Sequence, residues 1–137
     1  MKKMFKISLA YLVFGLLAGV FMREVSYNIG FTGETVMSIV HTHALTLGAA
    51  MFMMVAVLMK NFEIEKTRSF KFFLGFYNAG LVMTLGFMTA RGVSQLFQMP
   101  FVSFWDHMVS GLAGIGHVLL TVGLGFLFHA LIKSCKD

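Results

Sequence analysis

Residues 36–59 read VMSIVHTHALTLGAAMFMMVAVLM. No Asp, Glu, Lys or Arg interrupts this run, and it exceeds the roughly 20 apolar residues that carry a helix across a bilayer. A strand or a soluble core helix has no use for such a length. The stretch therefore sets the class: a membrane-spanning helix with two histidines near one end.

Three further runs share this character, at about residues 5–22, 72–90 and 108–132. Together the spans predict an all-α fold, an integral membrane four-helix bundle, in one transmembrane domain over residues 1–137. The first run follows Lys2, Lys3 and Lys6, as a signal peptide would. Its apolar part outruns the about 7–15 residues of such a peptide, and no A-x-A-type site follows it, so a retained helix is expected.

Composition agrees. Hydrophobic residues make up 58% of the chain and charged ones only 12%, against about 25% charged in a soluble domain. That alphabet cannot build a water-facing surface. One proline and 14 glycines exclude a Pro-rich disordered chain. The net charge of +5 does not signal nucleic acid, because the basic residues flank the spans. Lys2, Lys3, Lys6, Lys60, Lys66, Arg68, Lys71, Lys133 and Lys136 fall on one side, and only Arg23 and Arg91 on the other. The positive-inside rule then places both termini and the Lys60–Lys71 connection in the cytoplasm. The Arg23–Thr35 and Arg91–Asp106 connections face outward. The second of these carries Phe97, Pro100, Phe101, Phe104 and Trp105, which suit a membrane interface. The single cysteine, Cys135, leaves no intramolecular disulfide.

Ionisable residues at membrane depth are costly and tend to mark a site. The chain has His41, His43, His107, His117 and His129. In the expected topology His41, His43, His107, Arg91, Arg23 and Asp106 gather toward the outer half, with Arg91 ending the third helix and Arg23 and Glu24 the first. His117 marks the middle, and His129 the cytoplasmic end. On the fourth helix Ser110, Gly114, His117, Thr121 and Gly125 form one small, polar stripe. On the second, Ser38, His41, Leu45, Gly48 and Phe52 share a face. His43 is rotated from His41 by about 200°, so the two cannot point at one centre.

Two histidines on facing helices, each near a glycine, suit a b-type haem. The flat macrocycle lies against helix backbone where glycine, here Gly48 and Gly114, leaves room. Its propionates want arginine, and Arg91 and Arg23 are at hand. His41 and His117 are the expected axial ligands, with His43 as the alternative to His41. The two differ in depth by roughly 10 Å if both helices start level. A filled iron favours electron transfer, with a quinol as one partner class; an open position admits O₂, NO or CO.

Other readings remain. The same histidines with Met51, Met53 and Met54 describe a copper or zinc binder or transporter. A structural subunit of a larger complex explains the composition but leaves the histidines idle. Gly111, Ala113, Gly114 and Gly116 allow close helix approach, and with it a homodimer or other homo-oligomer.

The block Val40-His41-Thr42-His43-Ala44-Leu45 with Leu47-Gly48 resembles the second helix of haem–copper oxidase and nitric oxide reductase catalytic subunits. The resemblance implies a low-spin haem ligand at His41. It covers one helix, and His43 stands where those proteins commonly have Asn, so an oxidase reaction is not implied. Over most of its length, the chain is similar to small four-helix bacterial membrane proteins of uncharacterised function. Arg23-Glu24, Gly30-Phe31-Thr32-Gly33, His41-Thr42-His43 and the run Gly111 to His117 carry that likeness. It implies the fold and, with the spans, a multi-pass place in a bacterial cytoplasmic membrane.

Overall fold

The computed structural model describes residues 1–99 and 103–135. Pro100 and Phe101, expected in the aromatic connection, and Lys136, expected at the basic end, lie outside the described residues. Among the described residues the chain is all-helical, with no strand. Four helices are long and apolar enough to cross a membrane: α1 (Lys2–Asn28), α2 (Met37–Asn61), α3 (Arg68–Leu96) and α4 (Ser103–Ser134).

Each helix outruns its apolar stretch. A helix leaving hydrocarbon still satisfies its own backbone, so charged and interfacial residues extend it. α1 continues past Arg23 and Glu24 to Asn28. α3 continues past Arg91 to Leu96, so Arg91 does not end it. Phe104, Trp105, Asp106 and His107 occupy the first turns of α4, where the sequence led us to expect a connection.

The surface is the inverse of a soluble protein's. Leu9, Leu17, Val20, Val118, Phe128 and Ile132 are exposed, while Ser8, Thr35 and Thr84 are buried. Lipid tails tolerate the first group, and the second bonds or packs between helices. The centre is aromatic: Phe52 packs edge-on to Tyr77, with ring centres 5.7 Å apart, and tilted against Phe73 at 6.1 Å.

α1 packs on α2, α2 on α3, and α3 most extensively on α4. Glycine makes the last contact close. A Cβ on Gly80 would stand 2.7 Å from the Gly116 carbonyl oxygen, and one on Gly123 2.8 Å from the Tyr77 amide nitrogen. Thr67 caps α3, its side chain accepting from the Phe70 amide at 3.2 Å. The α1–α2 connection is tied to the far end of α3. Thr35 Oγ1 donates to the Gly92 carbonyl at 2.9 Å, and the Val36 amide donates to Gln95 Oε1 at 2.8 Å.

α2 is not uniform. From Ala44 to Ala50 its hydrogen bonding widens to a π-helix, a feature that recurs at functional sites. The wider turn presents carbonyls that hydrocarbon cannot hydrate, and hydroxyls take them. Tyr77 Oη donates to Leu47 O at 2.8 Å and Ser8 Oγ to Ala49 O at 2.7 Å.

Candidate functional site

The face of α2 that carries His41, Leu45 and Gly48 turns toward α1. A Cβ on Gly19 would lie 3.6 Å from the His41 Cβ, and one on Gly15 3.0 Å from Leu45 Cδ2. At Gly48 a Cβ would meet Tyr11 Cβ at 2.5 Å, so this glycine admits α1. Tyr11 then stacks on Phe52 with ring centres 5.8 Å apart. His41 is half-buried in this interface, and its Nδ1 is buried without a hydrogen-bond partner among the described residues.

His43, on the other side of α2, faces the fourth helix. Its ring centre is 6.4 Å from that of His117, and the two planes are nearly perpendicular at 84°. The ring beside His117 is thus His43 and not His41. The depth mismatch disappears because α4 extends farther beyond His117 than α2 extends beyond His43. Each imidazole is held by its own helix. His43 Nδ1 lies 3.0 Å from the Ile39 carbonyl oxygen, and His117 Nδ1 2.9 Å from that of Ala113. A carbonyl oxygen can only accept, so Nδ1 carries the proton in both rings. In a neutral ring that tautomer leaves the Nε2 lone pair for a ligand.

The face around them is open. His117, Ser110, Gly114, Thr121 and Gly125 are exposed on α4, as are Thr42 and Thr46 on α2. A Cβ added to Gly111, Gly114 or Gly125 would meet nothing within 4 Å. The hydroxyls do not compete for a ligand. Thr42 Oγ1 donates to Ile39 O at 2.8 Å, and Thr121 Oγ1 to His117 O at 3.0 Å.

Toward the Arg91 end of this stripe stands an ionic clasp. Arg91 Nη1 donates to Ser110 Oγ at 2.6 Å, and Nη2 lies 3.2 Å from Asp106 Oδ1. The clasp joins α3 to α4 about 10 Å along α4 from His117. Arg23 is exposed on α1, whose packing partner is the opposite face of α2. His107 and His129 are exposed nearer the two ends of α4, and Met53 and Met54 are exposed on α2.

Chemically, the arrangement offers two imidazole rings side by side, each with Nδ1 bonded to its own helix. The two rings meet edge-on, with centres 6.4 Å apart. Bonding of Nδ1–H to a backbone carbonyl is also the usual support of a metal-ligating histidine. Among the described residues, no group of three or more His, Cys, Asp or Glu is placed to hold a metal ion.

A family model described as "Protein of unknown function (DUF2871)" matches residues 1–134. No curated protein and no solved structure matches the chain. Neither the structure nor these comparisons supports the oxidase-like reading of His41.

Proposed function

The chain belongs to the DUF2871 family, and we propose that it is a b-type haem protein of the bacterial cytoplasmic membrane, serving electron transfer. His43 and His117 are the axial ligands in this proposal, and the Lys-rich end with both termini faces the cytoplasm. The observation that carries the reading is the pair of imidazoles 6.4 Å apart, each with Nδ1 committed to a backbone carbonyl.

The residues present fit the group. Gly114 lies one turn from His117 on the open face, where a flat ring needs backbone rather than side chain. Arg91 is the cation available to a propionate, which would share it with Asp106. Gly48 and Arg23 belong to the α1 side and take no direct part. Haem, when bound, supplies a one-electron couple. The chain's own work is to hold each histidine in the Nδ1–H tautomer, keep water out with apolar helices, and fix the distance between α2 and α4. Two histidines leave no axial position for a diatomic gas unless one of them moves away, and this favours electron transfer over gas binding.

The test is the visible spectrum of detergent-purified protein from haem-replete cells, oxidised and dithionite-reduced. A coloured protein is expected. Acid acetone should extract its pigment, because the chain has no Cys-x-x-Cys-His attachment site. A colourless preparation with stoichiometric copper or zinc would overturn the proposal.

A further inference from the structure

On the side of α3 turned toward α1 lies a second feature, which shares no residue with the His43–His117 pair or the Arg91 clasp. A groove of about 590 Å³ runs between α1 and α3, walled by Ile7, Phe14, Val82 and Gly86. Its floor is polar. Tyr11 Oη donates to Asn78 Oδ1 at 3.1 Å, and Asn78 Nδ2 donates to the Leu74 carbonyl at 2.9 Å. A primary amide has two N–H donors, and a phenol oxygen can accept as well as donate. The second Asn78 N–H and the Tyr11 oxygen lone pairs have no partner among the described residues. In hydrocarbon such a pair asks for a ligand with an oxygen at that point.

Depth decides which ligand. Asn78 lies about 15 Å along α3 from Arg68, near the middle of a hydrocarbon layer about 30 Å thick. A phospholipid keeps its ester and phosphate oxygens at the interface, and its tail offers nothing to an amide. A lipid-soluble quinone carries ring oxygens to that depth. Its carbonyl accepts from Asn78 Nδ2, and in the reduced form its hydroxyl donates to Tyr11 Oη. The groove has the volume of a small-molecule site, roughly 300–1,000 Å³.

We propose that the α1–α3 groove binds the head of an apolar-tailed quinone or quinol on Tyr11 and Asn78. The proposal concerns binding alone and does not depend on haem being present.

The experiment is equilibrium dialysis of the full chain in detergent against decylubiquinone, with haem content measured on the same samples. Saturable binding of about one quinone per chain is expected, in haem-containing and haem-poor preparations alike. Gly86→Phe should abolish it. Gly86 lines the groove and a Cβ there meets nothing within 4 Å, so the larger side chain starts from open space on the groove wall. Asn78→Leu should weaken binding about tenfold or more, through loss of the amide donor. Palmitate should not displace the quinone. Unsaturable uptake, unchanged binding in Gly86→Phe, or displacement by palmitate at equal concentration would each overturn the proposal. The last result would make the groove an acyl-chain seat.

Discussion

Replacing Gly80 by alanine should push α3 and α4 apart. The new Cβ would stand 2.7 Å from the Gly116 carbonyl oxygen, 2.8 Å from the Leu120 amide nitrogen and 2.9 Å from the Leu119 Cβ. Two of these neighbours are backbone and cannot swing away, and ordinary contact begins at about 3.5 Å. The helices must therefore part by about 0.5–1 Å. Overpacking of this kind costs about 1–3 kcal/mol, and a rigid backbone wall puts Gly80 at the upper end. Alanine returns up to about 1 kcal/mol through its helix propensity. A net loss of about 1–2 kcal/mol is expected, roughly a tenfold change in the unfolding equilibrium. The assay is SDS titration in mixed micelles followed by far-UV circular dichroism. Gly75→Ala serves as control, because a Cβ there meets open space. If Gly80→Ala proves as stable as Gly75→Ala, the close α3–α4 seam described above is wrong.

Two further outcomes follow from particular bonds. Tyr77→Phe removes the hydroxyl that serves the Leu47 carbonyl of the π segment and should cost about 1–3 kcal/mol by the same titration, because the carbonyl is left without a partner. At the basic end, the Glu63 hydrogen bond, then its charge, holds the exposed Lys66 ammonium above its ordinary pKa. A raised lysine pKa contributes stability below the ordinary value, and that contribution is lost as pH rises through the raised one. Solvent screening keeps the effect on folding small, so the check is NMR titration of Lys66, which Glu63→Gln should return toward the ordinary value.

How much was legible in the sequence can be argued from α2. Its length and lack of charge made it a membrane helix, and the 3.6-residue period correctly put His41, Leu45 and Gly48 on one face. Periodicity names a face but not the neighbour it meets. That face carries His41 against Gly19 and Gly48 against Tyr11, and so belongs to α1, while His43 was left to meet His117. The two close pairings, Gly48 with Tyr11 and Gly80 with Gly116, needed three dimensions, because a glycine in a span reads the same whether it faces a helix or lipid. The π segment had no compositional signal, since Ala, Leu, Thr and Gly are ordinary in an α-helix. Helix ends ran past the expected bounds because hydropathy marks where hydrocarbon stops, whereas the backbone ladder continues into the interface. The Tyr11–Asn78 pair was missed because the residues are far apart in the chain and neither is ionised.

The proposal that His43 and His117 share one iron is met head-on by electron paramagnetic resonance of the oxidised protein. Two nitrogen ligands give a low-spin ferric signal, and the loss of one gives high spin. A low-spin wild type is expected that becomes high-spin, or loses its haem, in both His43→Ala and His117→Ala, while His41→Ala, His107→Ala and His129→Ala stay low-spin. A low-spin signal that survives His43→Ala and is lost in His41→Ala would contradict it.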